Sequence, residues 1–226
     1  MPGVCALGDE NMTGDDVLAA GDFSPWTVEM QRALQEGGGI DVPCGTCTAC
    51  CTSSQFVHIA PDEKATLARI PKALRFSAPG LPPGHVVLGY DERGHCPMLR
   101  DGLCSIYEHR PRTCRTYDCR VFPASGVDAL ADGKPDIARR AAQWRFRLAT
   151  DDDRVRQQAV RAAADYLAAH ADLLEEAHLP GTATQRAALA VELHEAFLRT
   201  ESSTGRLTLA AVDPEREDLR RRIRQF

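Results

Sequence analysis

Cys44-Gly45-Thr46-Cys47-Thr48-Ala49-Cys50-Cys51 is a C-x2-C-x2-C-C run, and the reading of the whole chain turns on it. Gly45 supplies the backbone freedom for a tight turn in which thiolates at this spacing converge on one centre. Cys50 and Cys51 are neighbours, and adjacent side chains in extended chain point to opposite faces, so one of the two is expected to serve a second centre. A second block follows among turn residues, made of Cys96, Cys104, Cys114 and Cys119. Eight of the nine cysteines thus fall in two segments that are expected to build one site.

The compartment decides whether such cysteines are disulfides or ligands. The first ten residues have neither a basic n-region nor an apolar h-region, and Asp9, Glu10, Asp15 and Asp16 are wrong for a signal or transit peptide. The expected location is cytoplasmic, where metal binding is the commoner use of clustered thiols. Arginine and aspartate interrupt the alanine-rich stretches every few positions, so no membrane span is expected. The formal net charge of -5 gives no general attraction to nucleic acid.

Around the cysteine blocks the chain divides into three expected parts. Residues 1–22, rich in Gly and Asp, read as a mobile lead-in, 23–125 as the cysteine-cluster metal-binding domain, and 126–226 as a helical region packed on it. Ser24-Pro25-Trp26 starts a helix that Gly37-Gly38-Gly39 stops. Phe56–Ile59 and His85–Tyr90 are strand candidates, 61–70 a helix, and the proline-rich stretch 71–84 a loop. Arg100-Asp101-Gly102 makes a turn, and Pro111 opens a helical turn carrying Cys114. Ile137, Ala141, Trp144 and Leu148 recur as one helical stripe, and Thr150-Asp151-Asp152-Asp153 caps a long helix running toward Leu179. Leu189, Leu193 and Phe197 mark a third helix, and Asp213-Pro214-Glu215 begins a fourth with a basic end. The expected fold is mainly α: an irregular cysteine-rich, metal-centred module with a short β-hairpin, followed by a helical C-terminal part.

A C-x2-C-x2-C run offers three thiolates to one centre, the arrangement typical of cubane iron–sulfur clusters that take a fourth cysteine from elsewhere. Zinc sites more often use paired C-x2-C arms. Eight thiolates suit two four-thiolate sites, one cluster with one mononuclear metal, or one polynuclear centre with bridging sulfur. Four thiolates on a divalent ion carry a net charge near -2, and burying it calls for cations and N–H donors. Arg110, Arg112, Arg115 and Arg120 lie among the second block and are expected to contribute to that surround.

The full pattern adds Cys96-Pro97-x-Leu99-x2-Gly102-x-Cys104-x-Ile106-Tyr107-x2-Arg110-Pro111-x2-Cys114-Arg115-x-Tyr117-x-Cys119 to the first run. Over roughly residues 40–122, about a third of the chain, it resembles the YkgJ-type CxxCxxCC cysteine-cluster family, whose members are described as zinc- or iron-chelating. The resemblance implies a metal centre with Cys44, Cys47, Cys50, Cys51, Cys96, Cys104, Cys114 and Cys119 as ligands. The implied cofactor is an iron–sulfur cluster, of the 4Fe–4S type, or zinc or iron ions. Flagellin lysine N-methylases carry a similar cluster, but no glycine-rich loop suited to S-adenosylmethionine stands between a strand and a helix here.

Other residues are read more plainly. His58 and His95 flank the blocks and are left out of the ligand set, since lone histidines are commonly structural. Cys5 is a free thiol, and Tyr107 and Tyr117 either pack around the site or donate toward sulfur. The run Arg220-Arg221-Arg222-Ile223-Arg224 ends a helix that begins with acids, so nucleic acid is not the expected partner. No Ser/His/Asp or paired-carboxylate arrangement stands out, which leaves catalysis open. Two classes remain: an iron–sulfur or iron protein in redox or electron transfer with a redox partner, and a zinc-stabilised module that engages a protein partner.

Overall fold

Trp144 and Phe146 alternate with exposed arginines, and that period of two makes Trp144–Arg147 a strand where the helical stripe was expected to continue. The computed structural model describes residues 17–224 apart from 79, 180, 212 and 213. Cys5 and most of the expected lead-in lie outside the described residues. Its last part, Leu18–Asp22, is strand β1. Ala20 and Trp144 are both buried, and β1 pairs in parallel with the strand at Trp144–Arg147, with a bulge between Ala19 and Gly21.

Helix α1 (Phe23–Glu36) follows directly, buries Phe23, Trp26, Met30 and Ala33, and ends at Gly37 in the left-handed conformation. A 3-10 turn at Ala49–Thr52 holds the end of the first cysteine block, Cys50 and Cys51. A three-stranded antiparallel sheet comes next, in the order β2 (Val57–Ile59), β4 (Val86–Leu88), β3 (Arg75–Ser77). Strand β3 lies inside the expected proline-rich loop. Helix α2 (Lys64–Arg69) lies between β2 and β3. β5 (Leu99–Arg100) and β6 (Leu103–Cys104) form the expected hairpin, and Asp101 and Gly102 both take positive φ at its turn.

The remaining helices are α3 (Arg112–Thr116), α4 (Val121–Ser125), α5 (Pro135–Gln143), α6 (Asp151–Ala169), α7 (Asp172–Glu176), α8 (Ala183–Leu193) and α9 (Arg216–Ile223). The strand at Trp144–Arg147 is β7, and β8 (Leu198–Thr200) pairs with β9 (Leu207–Leu209). The capping box on α6 is formed, but the helix stops at Ala169 rather than running to Leu179. With about 49% helix and these short strands, the fold is mixed, which corrects the mainly-α expectation. The correction has a physical cause: the strands are two to five residues long, below the length at which alternation separates from loop.

Two apolar clusters result. The larger gathers α1, α4, α5, α6, α8 and α9 around Trp144, Leu167, Leu189 and Leu193, and it includes Cys119. The smaller joins Val57, Ile59, Ile70, Leu88, Met98 and Ile106, with Cys96 and Cys104 packed against it. The two cysteine blocks run between these clusters. Along α9, Arg216 pairs with Asp172, Arg220 with Glu176, and Arg221 and Arg222 with Asp218, so this basic run is met by carboxylates.

Candidate metal centre

The first block is shaped by its backbone. Gly45 sits at a φ of 57°, and the Cys47 N–H donates to the Cys44 carbonyl at 3.0 Å, closing the turn that the C-x2-C spacing predicts. Cys51 then donates to Thr48 O at 2.8 Å within the 3-10 turn. Lys134 Nζ donates to Ser53 O at 2.7 Å and fixes the end of that turn.

The second block is held by the hairpin and by α3. The Cys96 N–H donates to Cys51 O at 2.7 Å, which ties the two blocks together directly. Cys104 lies opposite Leu99 in the hairpin, and Cys114 sits within α3. Cys119 stands between the members of a buried ion pair. Arg120 contacts Asp118 at 2.8 Å, and Asp118 also accepts from Trp26 Nε1 at 2.8 Å. Arg120 in turn donates to Ala20 O and Asp41 O, linking β1 and the approach to Cys44.

All eight cysteines of the two blocks line one cavity of about 470 Å³. Cys119 is buried, Cys50 and Cys114 are exposed, and the other five are half-buried. No disulfide joins them. Burial of sulfur is the first cause that raises the thiols of Cys44, Cys50, Cys51, Cys96, Cys114 and Cys119. It pushes Cys51 to about 11, and Cys114 and Cys119 to about 12, with neighbouring thiolates adding to the rise. Among the described residues no group of three or more cysteine, histidine or carboxylate side chains stands close enough to hold one ion.

The donor chemistry fits a thiolate-bound metal in a second way. Arg110 Nε, Arg140 Nε and the Tyr117 hydroxyl are buried without a hydrogen-bond partner among the described residues, and all three residues line this cavity. Tyr117 lies near Thr184, whose hydroxyl donates to Asp132 at 2.7 Å. Buried unpaired donors cost about 1–3 kcal/mol each, and sulfur that carries metal-thiolate charge is the acceptor they lack.

Of the four arginines expected near the thiols, only Arg110 lines the cavity, its guanidinium stacked on Tyr107 at 3.7 Å. Arg112 pairs with Asp62, Arg115 donates to Arg110 O, and Arg120 belongs to the buried pair. His58 faces His85 at 2.8 Å, and neither it nor His95 lines the cavity. Two partners went unforeseen. Arg140 donates to Cys44 O at 2.9 Å, and Trp144 Nε1 donates to Cys119 Sγ at 3.2 Å. Trp144 belongs to the expected helical stripe, and the signal in the sequence that sets it apart is the break in helical period there.

Fold and site together define a cysteine-lined cavity between a helical and a sheet core. Residues 43–141 match the model of the CxxCxxCC family, described as "Putative zinc- or iron-chelating domain". No curated protein and no solved structure matches the chain. Among the described residues no helix is long and apolar enough to cross a membrane.

Proposed function

We propose that this protein binds metal through its two cysteine blocks, as an iron–sulfur or iron centre in redox or electron-transfer chemistry. The observation that carries the reading is the gathering of all eight block thiols around one cavity that also contains three partnerless buried donors. Four thiolates from this ring would hold a centre, and Arg110, Arg140 and Tyr117 would set its charge and hydrogen bonding. A bound iron–sulfur centre would supply one-electron transfer, at a potential set by those donors and by burial. Eight lining thiols are twice the four that one zinc ion takes, which favours the polynuclear reading over one zinc.

A zinc-stabilised interaction module is the second reading, and one observation favours it. Phe56, Leu103 and Tyr107 are 62%, 68% and 54% exposed at the cavity, and the Phe56 ring lies tilted against Tyr90 at 4.9 Å. Such exposed apolar groups suit a protein contact. Anaerobic purification with metal analysis separates the two: brown protein with sulfur-to-iron charge-transfer absorption and a paramagnetic signal on reduction supports the first. Colourless protein with stoichiometric zinc supports the second. Cys47→Ser and Cys114→Ser should each lower metal content, and unchanged loading in both overturns metal binding by these blocks.

A further inference from the structure

We infer that the cavity holds two separate four-thiolate centres, one formed by Cys44, Cys47, Cys50 and Cys119 and the other by Cys51, Cys96, Cys104 and Cys114. This rests on the metal-binding reading and names its ligand sets.

The two cores give the first argument. Cys119 belongs to the helical core, Trp144 donates to its sulfur, and Arg140 lies over the Trp144 ring at 5.0 Å while donating to Cys44 O. Cys47 is tied to Cys44 through the turn. This set therefore moves with the helical core. Cys96 and Cys104 pack on the sheet core, and Leu99, opposite Cys104, donates to Cys96 O at 2.9 Å. The helix carrying Cys114 is bound to β2 through Thr113, whose hydroxyl donates to His58 O at 2.9 Å. Cys51 joins this group through its carbonyl, which accepts from Cys96 N–H.

The junction is the second argument. Cys50 and Cys51 are consecutive in a 3-10 turn, where successive side chains are rotated by roughly 120° about the axis. They cannot both face one ion, and each completes a different set of three. Eight thiols then divide into two fours with none left over, and four is the number that a closed tetrahedral zinc site or a cubane requires.

The cavity also offers two guanidinium groups, each with a partnerless buried Nε: Arg140, which donates to Cys44 O at 2.9 Å, and Arg110, stacked on Tyr107. Two tetrathiolate centres, each of net charge near -2 on a divalent ion, would each need such a cation.

The test is cadmium-113 NMR on the full chain loaded anaerobically with 113Cd2+. The division predicts two resonances of equal area in the tetrathiolate region, with no cadmium–cadmium coupling. Cys44→Ser should displace or remove one resonance and Cys104→Ser the other. The unsubstituted chain decides even if a variant fails to fold: a single resonance, or two coupled through a shared sulfur, overturns the division. A variant that shifts both resonances equally also overturns it. Absence of bound cadmium overturns the metal-binding reading itself, and the division with it.

Discussion

Cys119 is the thiol whose surroundings are most completely specified by its neighbours in sequence. Asp118 and Arg120 form a buried pair on either side of it, so the backbone carrying the thiol is locked to α1 through Trp26 and to the approach of Cys44 through Asp41. Arg120→Ala should destabilise the fold by about 3–5 kcal/mol, because it leaves the Asp118 carboxylate buried without its cation. Urea denaturation measures this, and a loss below about 1 kcal/mol contradicts the role given to the pair. Trp144→Phe isolates a different contribution. It keeps most of the buried ring but removes the N–H that reaches Cys119 Sγ. Metal affinity should fall by about 10–100-fold in chelator competition, with far-ultraviolet circular dichroism unchanged. Unchanged affinity contradicts a part for the indole N–H in tuning the thiolate.

Among the elements, α6 shows how a cap joins distant segments. The Asp153 carboxylate closes the capping box with Thr150 and also accepts from the Ser24 hydroxyl and N–H, so it ties α6 to α1. Burial raises its pKa, but the hydrogen bonds from Ser24 and Thr150 outweigh that and bring it to about 2, below the ordinary value of 3.8. A carboxylate lowered in the folded state stabilises above its unfolded value and loses that contribution as pH falls toward 2. Asp153→Asn should therefore cost about 1–2 kcal/mol near neutral pH and make stability less dependent on pH between 4 and 2. Thermal melts across that range check both parts.

Gly39 links the other elements that matter here. Its φ is 104°, and a Cβ there would stand 2.8 Å from Arg115 Cβ, on the helix that carries Cys114. Gly39→Ala should lose about 1–3 kcal/mol in urea denaturation, since the main chain and not a flexible side-chain end must move. The capped helices, the Asp101-Gly102 hairpin and the Gly37 stop were all legible in sequence, because each is set by a few local residues. Strand β3 and the pairing of β1 with β7 were not, since short strands are defined by partners far along the chain. The eight thiols were legible from spacing, whereas Arg140 and Trp144 reach them only through tertiary packing.

Over the whole molecule, the cysteine blocks lie between two apolar cores, and metal bound there would join thiols of the first block to thiols of the second. Removing it by anaerobic chelation should lower the melting temperature by about 10 °C or more, as a few kcal/mol shift a chain of this size by about 2–4 °C each. An unchanged melting temperature after complete removal contradicts a structural part for the metal. The central claim, that the thiol cavity holds metal, is tested most directly by native mass spectrometry of the full chain kept anaerobic. The account predicts an intact mass above that of the bare chain by fully occupied metal, with or without inorganic sulfide, and a bare-chain mass for the Cys44→Ser/Cys104→Ser double variant. The bare-chain mass in the unsubstituted protein, with all eight thiols free to react with an alkylating agent, would contradict it.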